Sequence, residues 1–231
     1  MATMLSVNAK DINNKKGLTM KIAILAASGK AGRFITQEAL NRGHKVSAFV
    51  RNSTKAKDLE SSGAKVIQKD IFELDSSDLA GFDVIIDAFG VVDKTELYDK
   101  HIKHLANILQ GNNARLLVVG GAGSLYTDKT HKNMLMDSKD FPKEYLPVAK
   151  AHGEVLKFLR KQKELNWVYV SPPAVFIFDA PKSGKYKIIG EEFETNANGE
   201  SKGSYADYAA AMIDIALDSS VNQVRVGVIG L

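Results

Sequence analysis

Seven residues, Ala26-Ala27-Ser28-Gly29-Lys30-Ala31-Gly32, have the spacing of a phosphate-binding turn. Glycine at 29 leaves bare backbone where a diphosphate would approach, and glycine at 32 lets a helix pack close to the preceding strand. A helix opening at Lys30 adds N–H groups without helical partners and the positive end of its dipole. Ser28, Gly29, Lys30, Ala31 and Gly32 are therefore the expected contacts to a dinucleotide's phosphates. The full pattern, G-x-x-G-x-x-G, has a third glycine where this chain has Ala26. The turn is expected to avoid positive φ at Ala26, or to relieve it at Ala27, with Ser28 hydrogen-bonded inside it.

The second candidate lies about twenty residues on. Sites selective for NAD(H) place an acid at the end of the second strand, against the ribose 2′-hydroxyl. This chain reads Ala48-Phe49-Val50-Arg51-Asn52 there, with no acid. Arg51 stands where a 2′-phosphate would lie, and Arg33 or Lys55 could assist. A guanidinium matches a phosphate in two parallel hydrogen bonds, so NADP(H) is expected over NAD(H).

These residues need a scaffold, and the chain supplies one. Apolar runs that read as buried strands alternate with amphipathic helical segments. Strands are expected at Lys21–Ala27, Lys45–Val50, Lys65–Gln68, Asp83–Ala88, Arg115–Val119, Trp167–Val170 and Val224–Ile229. Helices are expected at Lys30–Arg42, Thr54–Ser61, Thr95–Gln110, Val148–Lys163 and Ser204–Asp218, the last opened by a Ser204-x-x-Asp207 cap. Such alternation predicts an α/β fold, a doubly wound and mostly parallel sheet of Rossmann type, in a single domain over 20–231 with a small irregular C-terminal substrate region. The stretches 120–147 and 172–203 read as irregular; both follow strands, so both are expected over the carboxyl edge, where ligands bind in such folds. Residues 1–19 show no periodicity and read as a disordered tail or an upstream start before Met20.

Composition narrows the class. The chain has 231 residues, no cysteine and a net charge of +4. Without cysteine there is no disulfide, thiolate metal site or cysteine nucleophile. Half of the net charge sits in the first nineteen residues, where Lys10, Lys15 and Lys16 outnumber Asp11. No basic stripe with interleaved aromatics points to nucleic acid. No apolar run reaches membrane-spanning length and no signal peptide is visible, so a cytoplasmic location is expected. His101 and His104 sit three apart on a helix, but no carboxylate motif joins them; a surface position, without metal, is expected for both. The sequence leaves the oligomeric state open.

The run KIAILAASGKAGRFITQEALNRGHKVSAFVRN, with QKDIFEL, IIDAFG, LLVVGGAGSL, Pro147–Ala151 and VYVSPPAVF, resembles the atypical short-chain dehydrogenase family. Within it, the chain resembles small bacterial NAD(P)H-binding proteins described as NADH-flavin reductases, relatives of biliverdin reductase B and NmrA-like proteins. The likeness runs from Met20 to Leu231. It implies roles at successive strand ends. Asp70 and Ile71 would face the adenine, although Gln68-Lys69 replaces the glycine usual before that Asp. Ala88, Phe89 and Gly90 would lie beside the cofactor ribose. Gly120 and Gly121 would lie under the nicotinamide, and Pro172, Pro173 and Ala174 would close over it.

Typical short-chain dehydrogenases also carry Tyr-x-x-x-Lys and a Ser, with the Tyr as proton donor to a carbonyl oxygen. Here Tyr145 and Lys150 are one residue too far apart, Pro147 intervenes and Leu146 holds the tyrosine's place. Lys150 matches the retained lysine and is expected at the nicotinamide ribose. Ser124, with Tyr126 nearby, follows the fifth strand where the serine would be. Lys150 and Ser124 are the candidate catalytic residues. A ketone needs a positioned acid, whereas a flavin or quinone tolerates negative charge and takes its proton from solvent. The expected activity is hydride transfer from NAD(P)H to a planar acceptor, with Phe89, Tyr126, Phe176 and Phe178 either flooring its site or packing the core. The alternative is a non-catalytic NADP(H)-binding redox sensor of NmrA-like type. An epimerase or dehydratase is a third possibility, disfavoured because such enzymes usually keep the Tyr-Lys pair.

Overall fold

The computed structural model describes residues 19–231. The expectation for 1–19 therefore falls almost wholly outside the described residues.

The core is an eight-stranded sheet of β1 (Lys21–Leu25), β2 (Lys45–Val50), β3 (Lys65–Gln68), β4 (Val84–Asp87), β5 (Arg115–Val119), β6 (Trp167–Ser171), β8 (Tyr186–Ile189) and β10 (Val224–Gly230). Across the sheet they lie in the order β3-β2-β1-β4-β5-β6-β10-β8. Seven run parallel; β8 pairs antiparallel with β10 and closes one edge. Two short strands, β7 (Val175–Ile177) and β9 (Lys202–Ser204), pair separately. The doubly wound Rossmann-type order expected from the alternating segments is thus the observed one.

Side chains alternate across β1. Ile22 and Ile24 enter one core, Ala23 and Leu25 the other. Helices α1 (Lys30–Asn41) and α5 (Tyr205–Leu217) cover the first face, with the short α2 (Lys57–Ser61) beside them. Helices α3 (Glu96–Ile108) and α4 (Leu146–Leu159) cover the second. A sheet covered on both faces needs strands that are apolar throughout, which is why β1 and β4 read as continuous runs.

Helix ends follow local chemistry. Gly43 takes φ +80°, and its N–H and that of His44 bond the carbonyls of Leu40 and Ala39, ending α1. Ser204 caps α5 by accepting from the Asp207 N–H at 2.9 Å. Arg115, at the start of β5, reaches across to the carbonyls of Ile215, Ala216 and Val221 and closes the far end of α5.

Several boundaries differ from expectation. β1 stops at Leu25, because Ala26 already turns. The segment 53–61 divides into a 3-10 turn at Ser53–Ala56 and α2. α4 begins at Leu146, two residues early, since proline is tolerated in a first turn. The stretch 172–203 is not irregular throughout: it holds β7, β8 and the start of β9.

Candidate functional site

The phosphate turn joins β1 to α1. Contrary to expectation, Ala26 itself adopts φ +54°, the left-handed region a glycine would occupy. The Gly29 N–H bonds the Ala26 carbonyl at 2.9 Å and closes the turn. Gly29 caps α1 in an extended conformation with no side-chain cap, and the first helical bond inside α1 is Arg33 N–H to the Gly29 carbonyl at 3.0 Å. The N–H groups of Lys30, Ala31 and Gly32 thus have no partner within the helix. A Cβ at Gly32 would lie 2.7 Å from the Ala26 oxygen, so this glycine is needed for helix and turn to meet. Ser28 takes part through its carbonyl, which accepts from Arg33 Nε at 3.0 Å.

Arg33 does not reach toward a 2′-phosphate. It bonds Ser28, Asp58 and the Lys55 carbonyl, and so clamps the phosphate turn to the segment after β2. Arg51 is exposed at the end of β2 and forms no ion pair among the described residues. Asn52 next to it caps the following turn by accepting from Thr54 N–H at 3.0 Å. Asp70 is half-buried and accepts from the Phe72 N–H at 3.0 Å, which shapes the turn carrying Ile71.

The end of β4 shows what sequence reasoning missed. His101 is not on the surface: it is 2% exposed, and its Nε2 lies 2.9 Å from Asp87 Oδ2. The other Asp87 oxygen accepts from the Phe89 N–H at 3.1 Å. The signal was present, because His101 falls three residues after Tyr98 and four before Leu105, on the apolar stripe of α3. An acid ending a central strand also demanded a buried partner. Tyr98 holds the same loop, its hydroxyl donating to the Val91 carbonyl and accepting from the Val91 N–H, both at 3.1 Å. Ala88 is buried and Gly90 is exposed, so the 88–90 turn crosses the sheet edge.

The end of β5 is held as tightly. Gly120 lies against the Tyr169 ring, where a Cβ would come within 2.3 Å. The buried Tyr169 hydroxyl accepts from Gly121 N–H at 2.9 Å and donates to the His152 carbonyl at 3.2 Å. Burial pushes the Tyr169 phenol up beyond its ordinary range, and burial drives the His152 imidazole down to about 4. Both groups are neutral at pH 7. Ser124 is 3% exposed, and its hydroxyl has no hydrogen-bond partner among the described residues. Lys150 is exposed on α4, while Tyr145 precedes that helix and is 60% exposed. No Tyr-Lys dyad forms.

Pro172 and Pro173 are buried and Ala174 is exposed where the chain leaves β6. Val175 N–H bonds the Ser201 carbonyl at 2.9 Å, and Pro173 packs on Gly203. Strand β9 thereby fastens the segment expected over the nicotinamide. Further along, Lys182 Nζ donates to Glu38 Oε2 at 2.6 Å, and Asp207 holds the N–H groups of Ser183 and Gly184.

The aromatics do not gather into one floor. Phe89 packs on His101, Tyr126 stacks on His131, and Phe176 stacks on Tyr205. Phe178 meets Phe34 and Tyr205, with Lys30 Nζ 5.4 Å from its ring centre. Phe176 packs between Tyr205 and Tyr208, whereas Phe178 stays 40% exposed. A cavity of about 560 Å³ opens beside Gly81, Asp83 and Asn112 at the opposite edge of the sheet, away from the phosphate turn. No group of metal-ligating side chains occurs among the described residues. No described helix is long and apolar enough to cross a membrane.

A dinucleotide fits the edge described. The first turn of α1, with glycine at its N-cap and no side-chain cap among the described residues, leaves N–H groups free to take a diphosphate. Comparison with known proteins agrees. A family model described as NAD(P)H-binding matches residues 26–219. The uncharacterized protein YwnB of Bacillus subtilis (strain 168) is 43% identical over 197 residues, 84% of this chain and 91% of that protein. A "putative NADH-flavin reductase" from Streptococcus pneumoniae TIGR4 is 44% identical, with a TM-score of 0.86 over 92% of this chain and all of that one. A "putative epimerase" from Bacteroides thetaiotaomicron is 37% identical, with a TM-score of 0.79 over 93% of this chain and 98% of that one. The chain belongs to the NAD(P)H-binding family, within the atypical short-chain dehydrogenase group that its loops resemble.

Proposed function

We propose that this protein is an NAD(P)H-dependent reductase that passes hydride to a planar acceptor, a flavin or quinone, and that it prefers NADP(H). The observation that carries the reading is the bare catalytic edge: Leu146 where a proton-donating tyrosine would stand, and Tyr145 outside α4. The likeness to the Streptococcus protein points the same way.

The nicotinamide, when bound, supplies the hydride. The chain's own residues bind and orient. The N–H groups of Lys30, Ala31 and Gly32 take the diphosphate, and Ser28 and Gly29 shape the approach. Arg51 pairs with a 2′-phosphate, as its exposed guanidinium, without an ion pair among the described residues, allows. Asp70 and Ile71 face the adenine, and Ala88, Phe89 and Gly90 line the ribose. Gly120 floors the nicotinamide, Pro172, Pro173 and Ala174 cover it, and Lys150 holds its ribose. Ser124, the second candidate catalytic residue, is buried behind the end of β5, with its hydroxyl left without a hydrogen-bond partner among the described residues. With no acid at the acceptor, the reduced product draws its proton from water, which suits a delocalised anion and not an alkoxide.

The test is turnover by purified protein with NADPH or NADH against FMN, FAD and simple quinones. Acceptor-dependent oxidation of NADPH, faster than that of NADH, is expected. Tight cofactor binding with no turnover on any of these acceptors would overturn the reductase reading.

A further inference from the structure

Behind the cofactor edge lies a second row. Phe72 meets Phe89 at 5.9 Å between ring centres, and Phe89 meets His101 at 4.5 Å and Tyr98 at 5.6 Å. Tyr98 meets His152 at 4.5 Å, and His152 meets Tyr169 at 6.5 Å. Three of these rings hold the loops above through hydrogen bonds: His101 through Asp87, Tyr98 at Val91 and Tyr169 at Gly121. A cavity of about 10 Å³ lies among Asp87, Tyr98, His101 and His152, room for about one water and for no larger ligand.

Asp87 and His101 are each about 3% exposed or less. Packing α3 against the sheet does not require such a pair, since apolar residues of similar volume fill a core at no desolvation cost. What the pair provides is geometry. One carboxylate oxygen takes the His101 Nε2–H and the other takes the Phe89 N–H, so a rigid helix is tied to the backbone of the turn. The same imidazole packs against the Phe89 ring. One side chain of α3 therefore fixes both the main chain and the side chain of Phe89.

We infer that His101 is a positioning residue for the dinucleotide: acting through Asp87, it holds the Ala88–Gly90 turn in the form that receives the cofactor. The inference rests on the proposed contact between that turn and the cofactor ribose.

Fluorescence titration of the full chain with NADPH and NADH tests it. His101→Gln places an amide donor near the Nε2 position, while His101→Phe keeps a ring and loses the donor. Leu105→Ala, one turn along the same buried stripe, reports general loss of packing. His101→Phe is expected to weaken binding about tenfold or more, with His101→Gln within about threefold of wild type and Leu105→Ala within about twofold, although Leu105→Ala melts earlier. Should His101→Phe not fold, the double variant Asp87→Asn, His101→Phe takes its place, because it leaves no buried charge unpaired. The inference is overturned if the donor-less variant binds like wild type, if glutamine does not restore binding, or if Leu105→Ala weakens binding as much. Wild-type protein that binds neither cofactor overturns the underlying reading itself; normal wild-type binding with an unaffected donor-less variant overturns this inference alone.

Discussion

A Cβ at Gly32 would lie 2.7 Å from the carbonyl oxygen of Ala26 and equally close to the Cα of Ala27. Both obstacles are backbone, so neither can swing aside. Gly32→Ala must push the start of α1 away from β1 and tilt the N–H groups that would face a diphosphate. The expected result is loss of NAD(P)H affinity by about tenfold or more, with a lower melting temperature and near-wild-type helical content. Affinity equal to wild type would show that the phosphates bind elsewhere.

Ala26 is the reverse case. At φ +54° its Cβ carries a strain that glycine lacks. Ala26→Gly relieves this and restores the third glycine of the turn. Glycine also frees the unfolded chain, which offsets part of the gain. A net stabilisation of about 0.5–1 kcal/mol is expected from urea unfolding, with cofactor binding retained.

Arg51 governs cofactor choice in the proposed site. Arg51→Ala is expected to raise KM for NADPH about ten- to a hundredfold and leave KM for NADH within about twofold, the cost of one charge-assisted pair. Unchanged discrimination between the two cofactors would assign the preference to other residues.

His152 makes stability depend on pH. Buried and neutral, it has a folded pKa of about 4, below the ordinary histidine value. Above pH 6.5 neither state binds a proton at this position, and its contribution is fully present. As pH falls toward 4 the unfolded chain takes up the proton and the folded one does not, so stability drops by about 3 kcal/mol in all. His152→Phe keeps a ring against Tyr98 and removes this response. Between pH 7.5 and 4.5, wild type is expected to lose about 2–3 kcal/mol more than the variant in urea unfolding. Carboxylates such as Glu38 titrate alike in both proteins and cancel.

Much of the frame was legible because parallel sheets write themselves strongly. β2, β3 and β5 lie where their apolar runs ended, and Gly43, Gly63 and Gly111, all at positive φ, mark the stops after α1, α2 and α3. The phosphate turn was legible for the same reason, as glycines at fixed offsets between two strong elements. What escaped was decided by distant partners. β7, β8 and β9 are three or four residues long and pair with chain far away, so no local period reveals them. The surface expected for His101 rested on the lack of a carboxylate motif beside the His101–His104 pair, when its spacing from Tyr98 and Leu105 placed it inward. The aromatics were hard to place because Phe89, Tyr126 and Phe176 pack toward different neighbours.

Asp207 joins two regions that the chain separates by some twenty residues. It caps α5 with Ser204 and also accepts from the amides of Ser183 and Gly184. Those two amides lie in an exposed segment, yet the carboxylate that holds them also accepts from the Ser204 hydroxyl at the start of α5. Their hydrogen exchange is therefore expected to be slower than exposure alone would give. An exposed segment thus borrows protection from a carboxylate anchored in a buried helix start.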